Sequence, residues 1–209
     1  MIFGLIILAY LIGSISTSVW IGKYFYGIDV REFGSGNAGA TNTFRVLGKK
    51  AGIPVLIIDI LKGSVAVALA YFSPFSINSS EFINLQLVLG LVALLGHIFP
   101  IFTGFRGGKG VATILGIVVC ILPLASVLSL IVFLISLFSF KIVSLSSMLA
   151  GITFPMFLTL VLANTNPVLT SFSIVVALLL IITHRKNIKR LLKNQETKVS
   201  LFKTKVAKV

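Results

Sequence analysis

Ser35, Arg45, Lys109 and His184 are the residues of this chain whose types and settings suit chemistry on a phosphorylated substrate. Ser35 sits in Gly34-Ser35-Gly36-Asn37-Ala38-Gly39-Ala40-Thr41-Asn42, with Arg45 close behind. Flanking glycines let the backbone approach an anion closely, so the Ser35 hydroxyl and amide can be aimed at one oxygen. Lys109 sits in Gly104-Phe105-Arg106-Gly107-Gly108-Lys109-Gly110, where Arg106 and Lys109 supply fixed positive charge. His184 and Asn187 stand three residues apart in a basic segment, a spacing that aims both side chains the same way along a helix. A lone histidine at a helix end is more often structural, and only the other two clusters favour a role for His184. His97 lacks such company and is expected to be structural. Such groups could hold phosphate, orient a hydroxyl and accept a proton.

Other chemistries fit less well. Gly34, Gly36 and Gly39 match a dinucleotide pattern, but no strand–turn–helix unit surrounds them. The second cluster departs from a Walker A loop, because Gly110 rather than Ser or Thr follows Lys109. The carboxylates are Asp29, Glu32, Asp59, Glu81 and Glu196, scattered in sequence, so no metal and no other cofactor is expected. Ser35 as an acyl-carrying nucleophile would lack an evident triad acid. Cys120 lies in an apolar run and implies no disulfide. Nucleic acid is excluded as a partner because apolar blocks separate the basic clusters and no stacking aromatics interleave with them.

The elements that must position these groups are membrane helices. The chain has 209 residues, 57% of them hydrophobic, and a formal charge of +13; its mean hydropathy is +1.10. This composition predicts an all-α integral membrane protein, and the charge suits anionic lipid or phosphorylated substrates. No Lys or Arg precedes Lys23, so Met1 to Gly22 is expected to be a retained first span rather than a cleaved signal. Further apolar runs cover Ile53 to Phe72, Phe82 to Phe102, Val111 to Phe140, Ile142 to Ala163 and Val168 to Thr183. As one helix, Val111 to Phe140 would be ~45 Å long against a hydrocarbon core of ~30 Å. A fold-back near Pro123 resolves this and puts Lys141 and the basic C-terminal tail on one side with the Lys23 to Gly52 loop and Thr103 to Gly110. The expectation is therefore about seven transmembrane segments, N-terminus outside and C-terminus cytoplasmic, with a short or broken segment near Pro123. All three polar clusters then lie on the cytoplasmic face. Residues 1–196 are expected to form a single transmembrane catalytic domain and 197–209 a basic cytoplasmic tail. Asp59 and Lys62 are expected to pair, and the stretch Ser144-Leu145-Ser146-Ser147 to cap a helix or to face the site. Lys186, Lys189, Arg190 and Lys193 are expected to lie on anionic headgroups.

Taken in order, Tyr10-Leu11-Ile12-Gly13-Ser14-Ile15, the Gly34 to Asn42 block with Arg45, Gly96-His97, Gly107-Gly108-Lys109-Gly110-Val111-Ala112-Thr113, Val143-Ser144-Leu145 and His184-Arg185 with Asn187-Ile188 resemble the bacterial acyl-phosphate:glycerol-3-phosphate acyltransferases. The resemblance implies attack of the 1-hydroxyl of sn-glycerol 3-phosphate on the carbonyl of a fatty acyl phosphate, giving lysophosphatidic acid and inorganic phosphate. It implies a bacterial cytoplasmic membrane location, both substrates and the lipid bilayer as partners, and no metal. It places Ser35, Arg45, Lys109, Ser147, His184 and Asn187 at the reaction. Gly34, Gly36, Asn37, Thr41, Asn42, Arg106, Gly107, Gly108 and Gly110 would bind substrate. One departure is Asn194, where the family often has glycine in Leu-Leu-x-Gly-x-Glu; asparagine also suits a left-handed cap, so the turn should survive with Glu196 in place. A phosphate or organophosphate transporter is the alternative, but its polar sites should reach both faces. A thioester-using acyltransferase would show His and Asp five residues apart, which neither histidine does. A metal-dependent lipid phosphotransferase would need clustered carboxylates.

Overall fold

The first apolar run breaks in two. Helix α1 covers Ile2–Gly13 and α2 covers Thr17–Tyr26, bent by 45° across Ser14 to Ser16. The run expected to be the first span, Met1 to Gly22, is thus a bent helix pair rather than one straight helix. The break exposes the Ile15 carbonyl, which accepts a 2.8 Å hydrogen bond from Lys62 Nζ; a buried amine supplies what the helix ladder no longer does.

The computed structural model describes residues 1–199; most of the expected basic tail, from residue 200, lies outside them. The described residues form helices and connecting turns in two compact units. The first is Met1–Ile121 and the second begins at Leu122.

In the first unit, α3 (Ala40–Leu47) and α4 (Lys49–Ala68) follow the first glycine loop, while α5 (Ser80–Ile98) and α6 (Val111–Ile121) flank the second. Small residues let these helices touch through their backbones, as expected where lipid offers no competing hydrophobic drive. A Cβ on Gly13 would lie 2.7 Å from the Ala93 Cα of α5, and one on Gly116 would lie 3.1 Å from the Ser64 nitrogen of α4. Ser64 Oγ donates to Gly116 O at 3.0 Å across the same crossing. The expected pair on α4 is present: Lys62 Nζ is 2.8 Å from Asp59 Oδ1, and Thr17 Oγ1 donates to the same oxygen at 3.3 Å. Asp59 and Lys62 are only 2% and 4% exposed.

The second unit contains α7 (Pro123–Phe140), α8 (Val143–Met156), α9 (Pro167–Thr183) and α10 (Arg185–Leu192). The long run is interrupted at Leu122, and Pro123 opens α7, where its missing N–H has no intrahelical bond to lose. A π-helical turn, Phe157–Val161, extends α8 just after Pro155. Hydroxyls that would be costly in lipid bond to carbonyls one turn back, among them Ser126 to Leu122 O at 2.7 Å and Ser146 to Ile142 O at 2.9 Å. Asn166 Oδ1 caps α9 by accepting from the amides of Val168 and Leu169. Ser144 is not a cap: Ile142 holds that position, and Ser144 lies inside α8.

Among the described residues, four helical stretches are long and apolar enough to cross a membrane, six if each of two bent helix pairs counts as one. Val111–Ile121 is a further, shorter apolar helix.

Candidate active site

Asn42 organises the first glycine loop. It lies on the buried side of α3 at 1% exposure, and its Nδ2 donates to the carbonyls of Val30 (2.8 Å) and Phe33 (3.1 Å). Its Oδ1 accepts from the Ser35 amide at 2.8 Å and the Ser35 hydroxyl at 3.1 Å. The two Ser35 donors do converge on one oxygen, but that oxygen belongs to Asn42. Gly34 and Gly36 take φ of +62° and +70°, a left-handed backbone in which side chains are strained. A Cβ on Gly34 would strike Asn42 Oδ1 and lie 3.4 Å from Arg45 Cδ, so the Arg45 stem runs beside the loop. Gly39 caps α3, Thr41 is exposed on its first turn and Asn37 is half-buried beside Gly39.

Arg31 ties this loop to the second. Its guanidinium grips Asp29 (2.7 and 2.9 Å) and donates to the carbonyls of Thr103 (2.7 Å) and Arg106 (3.2 Å). The Arg31 hydrogen bond holds the Asp29 carboxyl well below the usual carboxylate range, and Asp29 in turn raises Arg31. Beside them Trp20, Tyr24 and Phe102 line a cavity of about 330 Å³ with Lys23 and Arg31. Arg31 was legible only as a basic loop residue, since the two carbonyls it links to, those of Thr103 and Arg106, lie more than seventy positions away.

The second glycine loop packs back onto α5. The Gly107 amide donates to Ile98 O at 3.2 Å and the Gly108 amide to His97 O at 3.1 Å. These two glycines therefore use their amides to hold the loop to the end of α5, and their missing side chains give the close approach. Gly110, at φ +84°, hands the chain into α6, whose first-turn amides have no intrahelical partners. Half-buried Lys109 stands directly before that positive helix end, and Arg106 is exposed. Both glycine loops thus open onto helix N-termini, the setting that favours a bound anion.

In the second unit, His184 marks a 60° bend between α9 and α10 and is 2% exposed. Its Nδ1 lies 2.8 Å from Leu180 O. A carbonyl only accepts, so Nδ1 carries a proton, which leaves Nε2 as the nitrogen that can accept one. Asn187, 3% exposed, donates from Nδ2 to Glu196 Oε1 at 2.7 Å. Glu196 also receives Ser144 Oγ at 3.1 Å and Arg190 Nε at 2.7 Å. Arg190, expected at the headgroups, thus also has an ion-pair partner within its own segment. Asn194 takes φ +54° and its amide reaches Leu191 O, so the expected left-handed turn is present and brings Glu196 back to α10. Ser147 is buried and donates to Val143 O at 2.8 Å within α8.

Burial opposes ionisation of Glu196, but hydrogen bonds from Arg190, Asn187 and Ser144 outweigh it and hold the carboxyl below the ordinary glutamate range. Its stabilising effect is complete above the unfolded pKa of about 4.3 and is lost as pH falls through the lowered folded value. Glu196→Gln should therefore lower thermal stability at pH 7 and flatten the fall below about pH 4.3. Equal stability losses in wild type and variant between pH 5 and 3, measured by thermal scans, would contradict this.

The fold and these groups define a class: integral membrane proteins whose helices carry cationic, glycine-rich polar ends. A family model described as "Glycerol-3-phosphate acyltransferase" matches residues 3–194. A glycerol-3-phosphate acyltransferase of Listeria monocytogenes serovar 1/2a (strain EGD-e) is 47% identical over 193 residues, covering 92% of this chain and 94% of its own. Glycerol-3-phosphate acyltransferase 2 of Bacillus anthracis is 46% identical over 194 residues, covering 93% and 97%. The crystal structure of PlsY, an integral membrane glycerol 3-phosphate acyltransferase, in its glycerol 3-phosphate form has a TM-score of 0.86 at 40% identity over 97% of this chain and 99% of that one. Its lysophosphatidic acid form has a TM-score of 0.81. The chain belongs to the glycerol-3-phosphate acyltransferase family.

Proposed function

We propose that this protein transfers a fatty acyl group from acyl phosphate to the 1-hydroxyl of sn-glycerol 3-phosphate, releasing inorganic phosphate and forming lysophosphatidic acid. The observation that carries the reading is the end-to-end likeness to a solved acyltransferase captured in both acceptor and product forms. The chemistry of the residues agrees with it. Arg45 and Lys109 neutralise phosphate, Lys109 with the α6 N-terminus behind it. Ser35 turns its hydroxyl and amide from Asn42 Oδ1 to a phosphate oxygen, and Asn42 acts by holding the loop. Arg106 adds charge at the second loop, while Gly107, Gly108 and Gly110 keep it close-packed. Asn37 and Thr41 flank the α3 N-terminus as further polar contacts. His184 Nε2 accepts a proton or orients the acceptor, and Ser147 and Asn187 complete the set.

Acyl phosphate carries its own good leaving group, so positioning and charge stabilisation suffice. Asp29, Asp59 and Glu196 each lie against a cation, which supports transfer without a metal. Residues 1–196 form one catalytic domain in the bacterial cytoplasmic membrane, with the reaction on the cytoplasmic face. In a Cys120→Ser background, Asn78→Cys and Thr165→Cys should label from outside and Lys141→Cys from inside. An outside signal at Lys141→Cys would overturn that topology.

Purified protein offered acyl phosphate, acyl-CoA and acyl carrier protein in parallel, each with glycerol 3-phosphate, should form lysophosphatidic acid from acyl phosphate, with EDTA making no difference. Labelled acyl phosphate supplied alone should leave no covalent label after denaturation. Product from a thioester alone would overturn the donor assignment. Label abolished by Ser35→Ala and discharged by glycerol 3-phosphate would establish a serine intermediate instead.

A further inference from the structure

Beneath the second glycine loop lies a buried polar cluster that the proposed reaction leaves unused. His97, at the end of α5, is 6% exposed. Its Nδ1 is hydrogen-bonded to Thr113 Oγ1 of α6 at 3.2 Å and lies 3.9 Å from Asp59 Oδ1 of α4. Thr113 itself is fully buried. Three helices therefore fix one ring. The other edge of that ring is pressed against the loop: a Cβ on Gly108 would strike His97 Nε2, come within 3.0 Å of Cε1, and lie 2.8 Å from the Ala38 carbonyl of the first loop. Gly108 is thus clamped between the imidazole and the first glycine loop, and its amide is held by the His97 carbonyl. Lys109 is the next residue.

We propose that His97 is a positioning residue: its ring, oriented by Thr113, sets the height of the Gly107–Gly108 backbone against Ala38 and so fixes where Lys109 meets substrate phosphate. The last step rests on the acyltransferase reading; the packing step does not. Small displacements of a positioned charge have large kinetic consequences, because binding geometry is part of the barrier. The arrangement also explains glycine at 107 and 108 by the space they leave, not by donors they offer. Asp59, Lys62 and Thr113 are the charged and polar groups of α4 and α6 that share this cluster.

The test uses the full-length protein in detergent, with His97→Ala, Thr113→Val and Thr113→Ser compared with wild type. Hydrogen exchange of the 104–110 segment reads the packing, and KM and kcat for glycerol 3-phosphate read its consequence. His97→Ala should speed exchange of the Gly107 and Gly108 amides about tenfold or more while the rest of α5 stays protected. It should lower kcat/KM about tenfold, mostly through KM. Thr113→Val keeps the side-chain volume and should move both readouts the same way by a smaller factor; Thr113→Ser, which keeps the hydroxyl, should match wild type. Unchanged exchange in both His97→Ala and Thr113→Val would overturn the proposal. So would a loss confined to kcat, or a loss equal in Thr113→Ser and Thr113→Val. If wild type shows no acyl transfer, the functional reading fails and the exchange measurement alone decides the packing. If His97→Ala does not fold, the two Thr113 variants carry the same comparison.

Discussion

Lys109→Ala should lower kcat/KM for glycerol 3-phosphate by roughly tenfold to a hundredfold without unfolding the protein, the worth of one charge-assisted contact of about 1.5–3 kcal/mol. Arg45→Ala should fall in the same range, because its stem runs beside Gly34 and so beside Ser35. Lys193→Ala is the control. That residue ends α10, is exposed, and removes the same formal charge. An exposed charge at a helix end contributes well under 1 kcal/mol, so its loss should be invisible in the assay. Steady-state kinetics in detergent, with thermal midpoints alongside, separate the cases. Equal large losses at all three positions would mean that the +13 charge acts diffusely, drawing anions or holding the protein to lipid, and would sink the assignment of Lys109 and Arg45 to particular phosphates.

What the sequence disclosed, and what it hid, divides along the range of the interactions. Pro123 announced its helix start because proline acts on its own backbone, and Asn194 announced its turn because a left-handed cap is a local event. Asp59 and Lys62 were readable as a pair because i,i+3 geometry is set by the helix itself. Ser35 was readable as a two-donor residue, yet the oxygen it finds is on Asn42, in the first turn of α3. Arg31 looked like one more positive loop residue, and its link to Thr103 and Arg106 depends on how α2 and α5 deliver two loops to one place. His97 looked structural for want of neighbours in sequence; its neighbours are Asp59, Thr113 and Gly108, from two other helices and a loop. The split between α1 and α2 was signalled only by Gly13-Ser14-Ile15-Ser16, a mild helix breaker that hydropathy averages away. The break persists because Lys62 satisfies the carbonyl it frees.

That same lysine sets the largest stability effect expected here. Asp59→Ala should destabilise the protein by about 3–5 kcal/mol, because it leaves Lys62 buried opposite no carboxylate. Lys62→Met should cost a similar amount, by stranding Asp59 and withdrawing the donor from Ile15 O. The double variant Asp59→Leu with Lys62→Met decides between two accounts of the pair. If the ions matter chiefly to one another, their joint replacement by apolar groups restores most of the loss, since two desolvation penalties vanish with one attraction. Restoration should still fall short by about 1 kcal/mol, the cost of a part-buried Ile15 carbonyl without its donor. Unfolding midpoints in detergent measure the cycle, and a double variant as unstable as the sum of the singles would contradict it. Activity supplies a second axis. Asp59 stands 3.9 Å from His97 Nδ1, so the repaired double variant should regain stability before it regains a wild-type KM for glycerol 3-phosphate. Stability and KM recovering together would place the carboxylate's effect in the core alone, with none transmitted through His97 to the glycine loop.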